Sequence, residues 1–379
     1  MRITLDVSPA IHRHAGLGRY ARELLAALAA QDKTNEYVAF SHAPTSERPP
    51  GLLPDRVPLC TVPLSAKPWR MSVLLANLTG MTMDSWLPRG DIFHATEHLL
   101  PPLKDARTVF TLHDLIFQFF PEYHLPLNRE FLIHAMPRFL RRADAIIAVS
   151  ECTKRDAVHF YKLPPDKITV IYEGVNLALR QVNDQGTLTE ARARWAHGSP
   201  FILYVSTIEP RKNLIALVDA TRALRAHGYP HRLVIAGRKG WLYQGVFDHV
   251  RKTGMESEVD FLDFVPEEDL PALYSACAAF VFPSLYEGFG LPPLEAMACG
   301  APVVCSNTAS LPEVVGDAAI LVNPHDVGEL VGAIERVLSD SALRDRLRAR
   351  GIAQAARFSW ERAAQETLRV YESIFKRGS

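Results

Sequence analysis

The chain has 379 residues, 48% of them hydrophobic, which is enough for two domains with a packed core each. Its 42 Lys and Arg balance its 42 Asp and Glu, so it lacks the basic excess typical of nucleic-acid-binding proteins. Five cysteines without a C-x-x-C spacing argue against a disulfide framework or a zinc site. The charged, alternating N-terminus is typical of a strand rather than a signal peptide, and no apolar stretch is long enough to span a bilayer. We therefore expect a cytoplasmic protein, with peripheral contact at the inner membrane face left open.

Strand-like and helix-like runs alternate along the chain, a pattern typical of α/β domains with parallel sheets. In the first half we predict strands at 3–7, 37–41, 91–95, 108–112, 145–150 and 168–172. The first clear helix starts near Leu17, where apolar residues recur at helical spacing. These elements predict a first domain over residues 1–176.

A polar stretch at 177–199 interrupts the pattern and is predicted to link the first domain to a second one at 200–358. There we predict strands at 201–206, 232–236, 259–264, 278–283 and 301–305, and helices at 213–226 and 267–276. A last helix, at 360–375, follows the favourable N-cap Ser359 and comes after the second domain looks complete. The fold class predicted is α/β, with two facing, doubly wound, Rossmann-like domains and a ligand in the cleft between them.

The most informative motif of the second domain runs from Glu287 to Glu295 and has the sequence EGFGLPPLE. It predicts a glycine-bearing loop that leads into a short helix, where main-chain amides can bind phosphate. Gly288 and Gly290 allow close approach of a ligand, and each carboxylate can accept hydrogen bonds from two neighbouring hydroxyls. A ligand with a central diphosphate and a sugar at each end has this layout. Taken alone, the motif also fits a structural turn with two solvated glutamates.

A second motif places two cations, Arg211 and Lys212, just after the strand at 201–206 and at the predicted start of a helix. A helix start favours anions, so a bound anion would explain this pair, although an ordinary exposed basic pair is the simpler reading of the motif alone. Together with the glycine loop, the pair indicates a site that stabilises negative charge on a departing phosphate. The chain has no D-x-D motif, so we expect no metal ion and no other cofactor.

The first domain contributes weaker candidates. Gly16 and Gly18 lie between the first strand and the first helix, and they fit either a tight turn or a loop close to a phosphate or sugar. His113 and Asp114 follow a strand at the carboxyl edge of the sheet. His113 is a candidate for a hydrogen bond to a sugar hydroxyl, and Asp114 for binding the acceptor or orienting His113. Glu97 lies near a loop end and has a weaker claim.

With these residues collected, the chain resembles the retaining glycosyltransferases of family four, which have the two-domain GT-B fold. The E-x7-E element from Glu287 to Glu295, the EPRKNL stretch at 209–214 and the LHDL stretch at 112–115 carry the resemblance. One departure is visible, because many members have Gly-Arg where this chain has Val205 and Ser206.

The resemblance implies specific roles. Arg211 and Lys212 would hold the diphosphate, Glu295 the ribose diol and Glu287 the transferred sugar, with His113 near that sugar. The remaining donor contacts would come from the loop residues Gly16, Gly18, Gly288, Phe289, Gly290 and Leu291. Retention in this family is described as a front-face reaction in which the leaving phosphate helps to deprotonate the acceptor. The C-terminal segment 359–379 would pack back on the first domain.

The motifs look similar to those of mannosyltransferases of polysaccharide and O-antigen assembly, which implies GDP-mannose as donor and a glycan or lipid-linked saccharide as acceptor. UDP-glucose or another nucleotide-diphosphate hexose remains an alternative donor. A nucleotide-sugar epimerase and a non-catalytic nucleotide-sugar binder on the same fold remain alternative functions. A nicotinamide dehydrogenase is disfavoured, because the full G-x-G-x-x-G motif is lacking.

Overall fold

The computed structural model describes residues 1–43 and 49–376. The chain forms two compact units. The first comprises the described residues of Met1–Gln118, Pro126–Gly174 and Ser359–Ser379, and the second comprises Phe119–Leu125 and Val175–Phe358. Each unit has a parallel sheet with helices, so the predicted α/β fold class with two Rossmann-like units is confirmed.

The first unit contains a parallel sheet with the order β3-β2-β1-β4-β5-β6-β7 in the part of the chain that is described. Its strands are β1 Arg2–Asp6, β2 Glu36–His42, β3 Leu59–Val62, β4 Ile92–Ala95, β5 Arg107–Leu112, β6 Ala145–Ala148 and β7 Ile168–Val170. Its helices are α1 Ser8–Ile11, α2 Ala15–Gln31, α3 Ala66–Thr79, α4 Ile116–Phe119, α5 Pro126–Arg142, α6 Glu151–Tyr161 and, from the C-terminal segment, α15 Trp360–Lys376. The strands β1, β2, β4, β5 and β6 are almost entirely buried, as expected where helices cover both faces of a parallel sheet, whereas the edge strands β3 and β7 are partly buried.

The second unit contains a parallel sheet with the order β10-β9-β8-β11-β12-β13. Its strands are β8 Phe201–Val205, β9 Arg232–Ala236, β10 Val259–Asp263, β11 Ala279–Phe282, β12 Val303–Ser306 and β13 Ala319–Val322. Its helices are α7 Gln185–Ala196, α8 Leu214–Ala226, α9 Gln244–Lys252, α10 Leu270–Ala276, α11 Leu291–Ala298, α12 Leu311–Val315, α13 Val327–Ser339 and α14 Ser341–Ala355. The strand order reverses at β8 and β11, which places the loops after these two strands at the usual ligand-binding edge of such a sheet.

The C-terminal helix α15 packs against α2 and the sheet within the first unit. Tyr371 is fully buried, and its hydroxyl lies 2.6 Å from His94 Nδ1. The backbone at Gly174 passes so close to α15 that a Cβ there would lie 2.2 Å from the amide nitrogen of Trp360. Gly174 therefore allows the main chain to approach α15 at this point.

Two expectations about domain boundaries need correction. The stretch 177–199 is not a plain linker, because it contains α7, which begins at the N-cap Asp184 and buries Leu188 and Trp195 in the second unit. Residues 119–125 belong to the second unit although they lie within the predicted first domain. The ring of Phe119 stacks on that of Tyr286 at 4.9 Å, an aromatic contact that a hydrophobic pattern does not reveal.

Two short strands, β3 and β13, were missed. Both have half-buried residues without a clear alternation. Among the helices of the described residues, none is long and apolar enough to cross a membrane.

Candidate functional site

The two motifs of the second unit come together beyond the carboxyl ends of β8 and β11. Residues Pro210–Lys212 form a single 3-10 turn before α8, and residues 283–290 join β11 to α11. The carbonyl oxygen of Arg211 accepts a hydrogen bond from the amide of Leu285 at 2.8 Å. Main-chain contact therefore fixes the cationic turn against the loop that carries Glu287.

Glu287 joins the two cations. Its Oε1 lies 2.6 Å from Nζ of Lys212, and its Oε2 lies 2.8 Å from a guanidinium nitrogen of Arg211. Ser284 donates a further hydrogen bond of 2.5 Å to Oε1, and Glu209 binds the other side of the Arg211 guanidinium at 2.7 Å. The predicted conflict between the two cations and a helix start is thus resolved by two carboxylates of the chain itself.

The electrostatics of this cluster follow from its burial. Burial alone would raise the pKa of Glu287, but Arg211 and Lys212 lower it to about 2, so the carboxylate is ionised at neutral pH. Burial, together with repulsion from Arg211, lowers the pKa of Lys212, while Glu287 and Glu209 oppose that shift. The result is a largely buried, charged cluster in which Glu287 contacts both cations, so a phosphate group that binds them would compete with Glu287.

The glycine loop leads directly into α11 and turns at Gly290. Gly290 has φ of +113°, and a Cβ there would lie 2.7 Å from the Leu311 side chain, so the position favours glycine. Pro292 and Pro293 follow within the first turn of α11 and carry no N–H. The amides of residues 288–291, rather than deeper ones in α11, are therefore the candidate phosphate ligands.

Ser310 stabilises the same loop, because its hydroxyl donates to the carbonyl oxygens of Glu287 at 2.8 Å and Phe289 at 2.7 Å. Glu295 lies on α11, is buried, and accepts a hydrogen bond of 3.0 Å from the hydroxyl of Tyr274. The second unit thus brings Arg211, Lys212 and Glu287 into direct contact, and it places Glu295 on the helix that follows the glycine loop.

In the first unit, the glycine prediction needs correction. Gly16 and Gly18 do not lie in a loop, because α2 begins at Ala15 and includes both in its first turn. A Cβ on Gly18 would lie 2.8 Å from the carbonyl oxygen of Pro9, so this glycine permits close packing on α1. A Cβ on Gly16 would meet nothing within 4 Å, so packing does not explain that glycine.

His113 and Asp114 lie at the carboxyl edge of the sheet, directly after β5. His113 is buried, and its Nε2 lies 2.9 Å from the carbonyl oxygen of Thr96, while Nδ1 lies 3.4 Å from Oε1 of Glu173. Both ring nitrogens therefore face protein atoms, and a hydrogen bond to a sugar would have to replace one of these contacts. Asp114 precedes the short helix α4 and accepts a hydrogen bond of 3.2 Å from the amide of Ile116, the first residue of that helix.

Six partners in these clusters were not assigned roles from the sequence: Thr96, Glu173, Glu209, Tyr274, Ser284 and Ser310. Glu209 and Ser284 lie within the motifs themselves, so their nearness to the predicted residues was a usable signal. Tyr274 and Glu173 come from distant parts of the chain, and no local pattern connects them to Glu295 or His113. No group of three or more His, Cys, Asp or Glu side chains suited to a metal occurs within 1–43 and 49–376.

Comparison with known proteins identifies the family of the chain. Residues 188–354 match the family model described as glycosyl transferases group 1, and residues 14–179 match that of glycosyltransferase family 4. The O-antigen chain mannosyltransferase B of Escherichia coli is 32% identical over 99% of this chain and 100% of its own length. The serotype-specific mannosyltransferase WbdA of Escherichia coli is 37% identical over 71% of this chain, but this match spans only 34% of WbdA.

A solved structure supports the fold. The sucrose-phosphate synthase of Thermosynechococcus elongatus superposes with a TM-score of 0.79 over 99% of both chains, at 22% sequence identity. At that identity the likeness shows a shared architecture of two Rossmann-like units and not a shared substrate.

Proposed function

Because this chain belongs to the glycosyltransferases of the group 1 and family 4 type, we propose that it transfers mannose from GDP-mannose to a glycan or lipid-linked saccharide, with retention at the anomeric carbon and without a metal ion. The observation that carries the proposal is that the buried Lys212 and the partly buried Arg211 are both held by Glu287, directly before the turn at 288–291. This arrangement suits a leaving diphosphate, because cations and amides in a dry site stabilise developing negative charge.

In the proposed reaction, the bond between the anomeric carbon and the phosphate oxygen breaks as the acceptor hydroxyl forms the new glycosidic bond. The electron pair of the broken bond stays on the nucleoside diphosphate, and the hydroxyl proton passes to its phosphate oxygen. Arg211 and Lys212 stabilise that oxygen charge. No protein nucleophile takes part.

Donor binding gives Glu287 a defined task. Phosphate oxygens replace its carboxylate on Arg211 and Lys212, and the carboxylate then accepts hydrogen bonds from the hydroxyls of the donor sugar. Glu295 accepts from the ribose diol, held in place by the Tyr274 hydroxyl. The protein thus recognises both the sugar and the ribose, which lie on either side of the diphosphate of the donor.

The choice of mannose rests on the likeness to the two Escherichia coli mannosyltransferases. The test is incubation of the purified chain with GDP-mannose and with UDP-glucose, each with and without a mannose-terminated acceptor. Transfer from GDP-mannose to give an α-mannoside, identified by the one-bond carbon–proton coupling at the anomeric centre, is expected. A β-product would overturn retention, turnover without acceptor would favour an epimerase, and binding without turnover would favour a non-catalytic binder.

A lipid-linked acceptor would bring the protein to a membrane surface, and α3 has a side suited to it. Met71, Leu75 and Leu78 are each more than half exposed and lie on one side of the helix, with Lys67 one turn before them. We expect the chain to co-float with vesicles of anionic phospholipid, and Leu75→Ser to weaken that binding. Equal flotation of the two proteins would argue against this surface.

A further inference from the structure

One segment of the second unit, Phe119–Leu125, lies against two loops at the carboxyl edge of the sheet of that unit. The ring of Phe119 stacks on that of Tyr286, in the loop that joins β11 to α11, with ring centres 4.9 Å apart and 29° between the planes. Further along the segment, the carbonyl oxygen of Tyr123 accepts a hydrogen bond from the indole nitrogen of Trp241, in the loop after β9. The segment is therefore attached at two points.

The order of the strands places the cationic turn between these two attachment points. The strands β9, β8 and β11 are neighbours in that order, and Pro210–Lys212 comes after β8. The loop after β9 also binds the stretch just before this turn. The amide of Ile208 donates to the carbonyl oxygen of Arg238 at 2.9 Å, and the amide of Gly240 donates to that of Ile208 at 3.0 Å. The segment Phe119–Leu125 thus contacts the loops on both sides of the cationic turn.

The contact between Phe119 and Tyr286 bears on Arg211. The carbonyl oxygen of Tyr286 accepts a hydrogen bond of 3.0 Å from Nη1 of Arg211, and the same nitrogen lies 2.8 Å from Oε2 of Glu287. Nε of Arg211 lies 2.7 Å from Oε1 of Glu209. When a phosphate group replaces Glu287, as in the proposed function, the Tyr286 carbonyl and Glu209 continue to orient the guanidinium. The position of the Tyr286 main chain therefore matters most when the donor is bound.

We propose that Phe119 is a positioning residue, which stacks on Tyr286 and thereby holds the carbonyl oxygen of that residue against Arg211. A residue that lies outside both motifs of the second unit, between α4 and α5 in the sequence, then orients the cation that binds phosphate. Phe119 is 40% exposed, so its replacement by a smaller side chain leaves no large cavity in the core. The effect on nucleotide binding rests on the proposed function, whereas the effect on the loop does not.

The effect on the loop is measured by hydrogen exchange of the full chain without nucleotide, resolved to single amides by NMR. The amide of Leu285 donates to the carbonyl oxygen of Arg211 at 2.8 Å, so its exchange reports whether the loop stays on the cationic turn. Phe119→Leu should speed this exchange by about two- to tenfold, the range that loss of an aromatic pair implies. Phe119→Tyr keeps the ring and should leave it unchanged. Exchange in Phe119→Leu as slow as in the wild type would overturn the proposal.

The matched control is Phe160→Leu. Phe160 lies on α6, is 37% exposed and packs edge to face on the ring of His159 at 5.2 Å, so this change also removes an exposed member of a ring pair. It should leave both the exchange of the Leu285 amide and the affinity for nucleotide unchanged. Equally fast exchange in Phe160→Leu and Phe119→Leu would assign the effect to a loss of overall stability and overturn the proposal.

The consequence for donor binding is measured as the Kd for GDP and for UDP by isothermal titration calorimetry. Phe119→Leu should raise the Kd of the nucleotide that the wild type binds by about two- to tenfold. In a chain that already carries Tyr286→Leu, the same change should alter Kd by less than about twofold, because the stacked pair is already lost. An equal rise in both backgrounds would overturn the route through Tyr286. Binding of neither nucleotide by the wild type would contradict the proposed function, and the exchange of the Leu285 amide would then decide the role of Phe119.

Discussion

Lys212 and Glu287 are 75 residues apart in the chain, yet their Nζ and Oε1 atoms lie 2.6 Å from each other inside the second unit. Their side chains are only 5% and 10% exposed. A buried ion pair contributes little net stability while intact, but removal of one partner leaves an uncompensated charge. The same two residues can therefore be probed for their role in catalysis and for their role in folding.

Lys212→Gln should lower kcat by about 100- to 1,000-fold, the range found when a group that stabilises transition-state charge is removed. The amide keeps a polar partner for Glu287, which limits loss of fold, and a thermal melt checks this. Lys252→Gln removes an exposed cation at the end of α9 and is the control. Near-normal transfer by Lys212→Gln would remove this residue from the groups that stabilise the leaving phosphate.

The ionised state of Glu287 predicts a defined acid sensitivity. Its pKa in the folded chain is about 2, below the ordinary value of 4.5, so its stabilising effect is complete above pH 4.5 and is lost as the pH falls from 4.5 towards 2. The effect amounts to roughly 3 kcal/mol. Urea unfolding at stepwise lower pH should show a steeper fall in the free energy of unfolding for the wild type than for Glu287→Gln. Parallel curves for the two proteins would contradict an ionised, paired Glu287.

Most of the fold follows from the sequence because its strands are continuous apolar runs bounded by turn residues. The strands β5 and β11, for example, were placed within one or two residues. The half-buried edge strand β3 lacks such a run. The helix α7 was missed because its exposed residues outnumber the four that it buries, so the stretch resembles a linker. The segment Phe119–Leu125 belongs to the second unit, where Phe119 stacks on Tyr286. A contact between residues so far apart in the chain cannot be predicted from a local sequence pattern.

The candidate site, like the fold, could be predicted from the sequence only in part. The turn at 287–291 could be predicted because glycines precede the prolines of a helix start, and the pair Arg211 and Lys212 because two adjacent cations conflict with an ordinary helix start. Sequence spacing could not show that Glu287 itself neutralises the cations, because that depends on how two loops 75 residues apart fold together. The partners Tyr274 and Glu173 could not be predicted for the same reason. Tyr274 contacts Glu295 from another helix, α10, and Glu173 contacts His113 from the loop after β7.

The hydrogen bond between Tyr274 and Glu295 predicts two graded effects on nucleotide binding. Glu295→Ala removes the proposed ribose contact and should raise the Kd for GDP by about 10- to 100-fold, as expected for a hydrogen bond to a charged group. Tyr274→Phe removes only the hydroxyl that orients the carboxylate and should raise it a few-fold. Isothermal titration calorimetry measures both constants. Unchanged affinity in Glu295→Ala would exclude the ribose role, and an equal loss in both variants would show that the hydroxyl itself contacts the nucleotide.

Transfer should continue at the same rate in the presence of EDTA, because Arg211, Lys212 and the amides of 288–291 supply the positive charge that a divalent ion supplies in metal-dependent enzymes. The measurement compares initial rates for untreated protein, protein with EDTA, and EDTA-treated protein with added Mg²⁺ or Mn²⁺. The same measurement on Lys212→Gln is informative, because a metal ion that replaced the positive charge of Lys212 would restore the lost rate of transfer. A sharp loss of wild-type activity with EDTA, reversed by metal, would contradict the assignment of this charge to the protein.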